Sequence, residues 1–328
     1  MTCTDHYATG ENFDVYMCDS CGFIFTQHAP CEAEIGRYYD SPDYISHSNT
    51  HKGLMNKVYH WVRQYMLISK AHLIKHHSGL SRGILLDIGT GTGYFAHAMQ
   101  SKGWRVRAIE KNEAARKFAA DNFGIQVDAP GALESYEDAS FDVVTLWHVM
   151  EHLEQLNETW AQLSRILKDR GILVVAVPNP RSYDAAKYKE QWAAYDVPRH
   201  LWHFTPAVMQ QFGAKYGFIL ADQRPMPFDA FYVSMLSEKY QKHAFPFLRG
   251  MIVGIKAWFS TLINKERSSS MIYVFRKKQR VKTKNHILIC SSLHPASVLC
   301  WYCCCWEWLY FLCLQPITFL YMYVRISE

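Results

Sequence analysis

The chain carries no long basic block and no array of basic residues interleaved with aromatics, and its net charge is only +5 over 328 residues. A nucleic-acid partner is therefore not expected, and a small or neutral substrate fits better. The first residues lack a basic region followed by an apolar stretch, so no secretory signal is expected and a reducing cytoplasm is the expected compartment. The pattern His-Glu-x-x-His is missing as well. Near the start, Cys18-Asp19-Ser20-Cys21-Gly22 looks like one knuckle of a zinc ribbon, but Cys3, His6, His28 and Cys31 supply no second Cys-x-x-Cys nearby. Cys18 and Cys21 are thus candidate zinc ligands that make half of a tetrahedral set, the alternative being a reduced, half-buried pair.

What is present is concentrated in Leu85-Leu86-Asp87-Ile88, an apolar run ending in an acid, followed by Gly89, Gly91 and Gly93 at alternate positions and a helical pattern from about Thr92. Glycines there let the backbone turn sharply after a buried strand, and the next helix opens with unpaired N–H groups facing a ligand. The stretch reads as a nucleotide-type cofactor site. Gly91-Thr92-Gly93-Tyr94-Phe95-Ala96 also fits the G-x-G-x-x-A form of the dinucleotide fingerprint, which keeps a nicotinamide-dependent oxidoreductase as an alternative. Asp87 argues the other way, because an acid at the strand end suits a ligand bearing positive charge or hydroxyls and tilts the cofactor toward S-adenosylmethionine. A noncatalytic binding protein on an inactive fold is the third reading.

Strand and helix patterns alternate from there. Gly83–Asp87, Val106–Glu110, a short piece at Ile125–Val127, Phe141–Leu146 and Gly171–Val177 read as strands, with helices from about Thr92, Glu113 and Glu154. Such alternation implies a doubly wound α/β fold, a mostly parallel sheet with helices on both faces. A helix at Pro206–Tyr216 and strands at Phe218–Ala221 and Met271–Phe275 would complete it. Ligands in such sheets bind beyond the carboxyl ends of the strands, which selects Glu110, placed to accept both hydroxyls of a ribose. Ahead of the sheet, Leu54, Val58, Trp61, Tyr65 and Ile68 recur at helical spacing, giving an amphipathic helix expected to pack onto the sheet.

These motifs, in this order over roughly residues 80–225, resemble the class I S-adenosylmethionine-dependent methyltransferases, small-molecule enzymes of the ubiquinone-pathway O-methyltransferase kind among them. The resemblance implies a Rossmann-like seven-stranded sheet whose final strand is antiparallel. It implies S-adenosylmethionine held by Asp87, Gly89, Gly91, Gly93 and Glu110, with either Asp128 or Gly131-Ala132-Leu133 meeting the adenine. The stretch Trp147-His148-Val149-Met150-Glu151-His152 is similar to the family's fourth motif, where a strand end borders donor and acceptor. Methyl transfer to a hydroxyl calls for orientation, desolvation and a proton acceptor, and a histidine titrating near neutrality suits the last task. His148 is one candidate catalytic residue. His200 is the other, in a loop rich in Trp192, Tyr195, Arg199, Trp202, His203 and Phe204 that reads either as an acceptor wall or as an aromatic plug closing the core. The expected partner is a small-molecule acceptor, a metabolite, sugar or quinone-like ring methylated at oxygen.

By this reading residues 1–45 form a partial zinc-ribbon-like segment, 46–80 a helical lead-in, 81–280 the methyltransferase domain and 226–270 a lid insertion within it. In the insertion Phe247, Met251, Ile255, Trp258 and Leu262 share a helical stripe edged by Arg249, Lys256 and Lys265. A lid or core helix is expected, and a helix resting on a membrane surface is the alternative. Residues 281–328 hold six of the ten cysteines and no clear periodicity. They read as a frame-shifted tail or, over Ser297–Val324, as an anchor interrupted by Glu307, Gln315 and Pro316.

Overall fold

The computed structural model describes residues 1–31, 33–39, 54–226 and 228–278; the atypical segment 281–328 lies outside them. The first strands, β1 (Thr2–Thr4), β2 (Asn12–Met17) and β3 (Ile24–Thr26), form an antiparallel meander. Helix α1 (Leu54–Ser78) leads into β4 (Ile84–Ile88), α2 (Tyr94–Gln100), β5 (Arg105–Ile109), α3 (Glu113–Phe123) and β6 (Val127–Asp128). A short α4 (Ala132–Ser135), β7 (Phe141–Trp147), α5 (Leu156–Ile166) and the long β8 (Leu167–Pro178) follow. Then come α6 (Tyr183–Tyr188), a two-residue β9 (Trp202–His203), α7 (Pro206–Lys215), β10 (Phe218–Pro225), α8 (Asp229–Tyr240), α9 (Pro246–Ile263) and β11 (Ser270–Lys277).

The central sheet has the order β10-β11-β8-β7-β4-β5-β6. Its β8, β7, β4, β5 and β6 are mutually parallel, and β11 runs antiparallel to both β8 and β10. The expected Rossmann-like sheet with an antiparallel last strand is therefore present. Gly171–Val177 is buried throughout, as a strand covered on both faces requires, which is why it reads as an unbroken apolar run. One layer beside the sheet is centred on Trp160, Phe204, Tyr273 and Phe275, the other on Ile74, Leu85, Phe95 and Met99.

Two helices present a face other than the one their spacing suggests. In α1 the packed residues are Ala71, Leu73 and Ile74 near its end, whereas Trp61, Tyr65 and Ile68 are exposed. In α9 the buried residues are Gly250, Val253, Gly254, Ala257 and Thr261, so the bulky stripe with Phe247, Ile255, Trp258 and Leu262 points outward. Close approach explains the choice: a Cβ at Gly250 would stand 2.4 Å from Met235 Cα, and one at Gly254 2.9 Å from Phe231 Cα. Helices α8 and α9 therefore touch backbone to backbone, a contact that only small side chains allow.

The amino-terminal meander is not an isolated module. β3 pairs with β9, through Ile24 with His203 and Phe25 with Trp202, making a four-stranded sheet β1-β2-β3-β9. The loop after β8 is thereby tied to the first residues of the chain.

Candidate active site

The carboxyl ends of β4, β5 and β7 meet at one edge of the sheet. After β4 the backbone passes through φ 70° at Gly89, 54° at Gly91 and 81° at Gly93, left-handed values that favour glycine. A Cβ at Gly89 would lie 2.2 Å from Val149 Cγ2, and one at Gly93 2.8 Å from Ala119 Cβ, whereas the space beside Gly91 is open. Gly89 and Thr90 donate their N–H groups to Ile109 O at 2.7 and 3.1 Å. The Gly91 N–H donates to Glu110 Oε2 at 2.8 Å, and the Asn112 N–H donates to Glu110 Oε1 at 2.9 Å. Glu110 thus stands at the mouth of the loop with its carboxylate held in place.

Asp87 lies deeper, 2 % exposed. Its partner across the β4–β7 register is Thr145, whose hydroxyl donates to Asp87 Oδ1 at 2.7 Å. Burial pushes the Asp87 carboxyl up to about 6, against the opposing effects of Thr145, Thr90 and Lys70. Lys70, contributed by α1, reads from sequence only as a polar position of the amphipathic helix. Its ammonium sits 4.1 Å from the Trp147 ring centroid and 5.6 Å from that of Phe95, and burial pushes it down to about 8 despite Asp87 and Asp229. Two aromatic faces and a buried carboxylate thus already surround a cation, and this chemistry suits the ammonium and sulfonium of S-adenosylmethionine. Asp87, Glu110 and the bare loop are the residues that would hold it.

Beyond Trp147 the chain turns through His148, a non-glycine residue at φ 57°, fixed by its N–H donating to Ala176 O at 2.9 Å. Its Nε2 lies 3.2 Å from Asp229 Oδ2 at the start of α8, and its Nδ1 3.5 Å from Glu151 Oε1. Burial alone would depress the imidazole, but hydrogen bonding to Asp229 and Glu151 overrides it and raises His148 to about 10. At neutral pH His148 therefore holds its proton. This differs from the neutral-range base that the sequence suggests, because both nitrogens face carboxylates, one of them from a helix distant in sequence.

Glu151 is 1 % exposed, and His148 Nδ1 faces its Oε1 at 3.5 Å, too long and too oblique for a hydrogen bond of ordinary geometry but close enough to pair the charges. Burial works against its charge, yet the histidines around it, His148 first, keep its pKa below the ordinary value. Its carboxylate, His152 and His200 bring ligand-type atoms within 4.8 Å of one another. The rings of His152 and His200 meet edge to face at 4.6 Å. His200 Nδ1 lies 2.9 Å from Ala194 O, and since a carbonyl only accepts, that nitrogen carries the proton. Its Nε2 is left facing Asp196 Oδ2 at 3.8 Å. The structure therefore gathers both candidate histidines around Glu151.

Most of the aromatic loop turns inward. Trp192, Tyr195, His203 and Phe204 are buried, and the Trp192 indole donates to Asp184 Oδ2 at 2.8 Å. Arg199 is fully engaged, donating to both oxygens of Asp196 at 3.1 and 2.6 Å, to Asp5 Oδ1 at 3.0 Å and to Tyr38 O at 2.7 Å. It ties this loop to the amino-terminal meander and has no arm left for an acceptor.

The zinc expectation does not fit the residues present. Cys18 is half-buried and Cys21 exposed, both as free thiols. The one group of three metal-type donors among the described residues is Glu151, His152 and His200, and neither cysteine belongs to it. A tetrahedral zinc site needs four donors, and two are missing.

A family model described as a methyltransferase domain matches residues 60–223, half of the chain. The chain belongs to that methyltransferase-domain family. Among curated relatives, a ubiquinone biosynthesis O-methyltransferase of Rhodopseudomonas palustris is 29 % identical over 156 residues, covering 44 % of this chain and 62 % of the relative. One of Rickettsia bellii is 29 % identical over 145 residues, 41 % of this chain and 59 % of the relative. The matches thus span about three fifths of those relatives' length. Among solved structures, the geranyl diphosphate C-methyltransferase of Streptomyces coelicolor is 13 % identical with a TM-score of 0.48, covering 70 % of this chain and 88 % of that one.

Proposed function

We propose that the chain transfers a methyl group from S-adenosylmethionine to a hydroxyl oxygen of a small molecule, a metabolite, sugar or quinone-like ring. The observation that carries this reading is the bare glycine loop between Asp87 and Glu110, opening on the same sheet edge as the cluster of His148, Glu151 and His200. When bound, the sulfonium compound supplies an activated methyl carbon and a neutral thioether as leaving group.

Asp87, Glu110 and the glycine loop would hold the amino acid and ribose parts of the donor. Methyl transfer from the donor sulfur to a hydroxyl oxygen would require that the hydroxyl proton leave. His148 already carries a proton between Asp229 and Glu151, so it orients rather than deprotonates. His200 takes the proton at Nε2, where Asp196 stabilises the resulting imidazolium.

Calorimetric titration with S-adenosylmethionine, followed by labelled methyl transfer into a panel of hydroxylated small molecules, tests the reading. Binding at about 1 μM, worth about −8 kcal/mol, is expected. For His200→Asn the expected result is a loss of turnover of about a hundredfold with donor affinity retained. Failure of the wild-type chain to bind the donor would end the reading; full turnover in His200→Asn would remove that residue from it.

A further inference from the structure

The outward face of α9 has no role in the site just described. Leu248, Ile252, Ile255, Phe259 and Leu262, spaced four, three, four and three apart, form one continuous stripe, and each is at least 43 % exposed. Ile263 beside them is 90 % exposed. The opposite face is the small-residue stripe seated on α8, and Arg249, Lys256 and Ser260 run along one edge between the two. An 18-residue helix about 27 Å long thus offers water an apolar face with a basic margin.

Charge decides what can cover it. Among residues 229–267 the exposed cations are Lys239, Lys242, Arg249, Lys256, Lys265 and Arg267. Arg249 is spent on the buried Glu238 at 2.8 Å. The other five are opposed by a single exposed acid, Glu266. Lys256 is the uncommitted cation on α9 itself, and Lys239, Lys242, Lys265 and Arg267 flank the helix in sequence; a second copy of the chain would bring two segments with this excess of positive charge together, which disfavours self-association. The chain's own residues 281–328 carry Lys282, Lys284 and Arg325 against Glu307 and Glu328, so they bring no net negative charge. An anionic lipid surface answers both the apolar stripe and the basic margin. No helix among the described residues is long and apolar enough to cross a membrane, so α9 would lie in the plane of the interface.

We propose that α9 is a docking helix that seats the protein on an anionic bilayer surface, with Leu248, Ile252, Ile255, Phe259 and Leu262 entering the acyl boundary and Lys256 among the cations meeting headgroups. The inference is independent of the acceptor and of the methyl-transfer reading.

The test is sedimentation of the full-length chain with vesicles of phosphatidylglycerol and phosphatidylcholine, against vesicles of phosphatidylcholine alone. The expected result is a partition about tenfold higher on the anionic vesicles, weakened by salt, and lost in Ile255→Glu/Phe259→Glu. Lys256→Glu should lower it severalfold with the apolar stripe intact. Both substitutions lie on the exposed face, so circular dichroism and donor titration check that the fold is kept. Equal binding to both vesicle types, or none, overturns the proposal. Undiminished binding by the double variant assigns membrane affinity to another segment, such as 281–328, and also overturns it. So does a dimer in light scattering that the double variant dissolves, or alkylation of Cys300 and Cys303 that the double variant accelerates, since these name a second copy or the carboxyl-terminal segment as the occupant.

Discussion

The proposed donor end and the proposed acceptor end of the site are built by opposite means. The donor end is local: strand, glycine turn and helix follow one another from Ile84 to Gln100, and Glu110 joins from the adjacent strand through one hydrogen bond to Gly91. The acceptor end is a convergence of distant segments. His148 and Glu151 follow β7, Asp229 comes from the start of α8, and His200 and Asp196 come from a loop that Arg199 pins to Asp5 near the amino terminus. Ligand contacts made with backbone need only turn geometry, whereas contacts made with charged side chains below the surface need partners from wherever the fold can bring them.

Breaking each end separately should give different signatures. The largest effect is expected at Arg199, 5 % exposed and bonded to two carboxylates. Arg199→Ala leaves Asp5 and Asp196 without their guanidinium and should cost about 3–5 kcal/mol in denaturant unfolding, while the donor loop itself is untouched. An effect under about 1 kcal/mol would show that the pin is not needed. Gly93→Ala comes next. The new Cβ meets Ala119 Cβ at 2.8 Å with φ at 81°, so about 1–3 kcal/mol of stability should go, and donor affinity by calorimetry should fall with it. Unchanged affinity would mean the loop tolerates displacement.

The smallest and most specific effect concerns protonation. His148 is raised from its ordinary 6.5 to about 10, so its contribution to stability is complete below about 6.5 and is lost as pH rises through about 10. The gap in melting temperature between wild type and His148→Gln should therefore be widest at about pH 6 to 6.5, narrow as pH rises above that, and close at alkaline pH. A gap that does not change over that window would show that Asp229 and Glu151 do not hold an imidazolium.

The same contrast explains what was legible in the sequence. The strands of the sheet and the glycine loop follow from apolar runs and turn residues, which are local signals, and β8 and β11 differ from their expected bounds only by a few residues at the ends; the antiparallel last strand follows only from the family resemblance, and the strand order only from the structure. Asp87 and Glu110 stand out in the sequence as candidates because strand ends have a fixed place in such sheets. Lys70 was missed because a lysine on an amphipathic helix carries no mark of the ring it will cover. Asp229 was missed because nothing near it in sequence names His148 as its partner. Arg199 sits in a loop that reads from sequence as either an acceptor wall or an aromatic plug, and only the contacts with Asp5 and Tyr38 O reveal a brace. The helical stripes of α1 and α9 misled for one physical reason: periodicity marks the bulky face, but glycine and alanine decide which face lets two backbones meet.

That backbone contact between α8 and α9 has a further consequence. Two helices locked at Gly250 and Gly254 move as one stiff slab, so whatever settles on the slab finds its shape already made and loses little conformational freedom on arrival. Sequence change at those two glycines would be felt at a distance, as a softened landing surface rather than a lost contact.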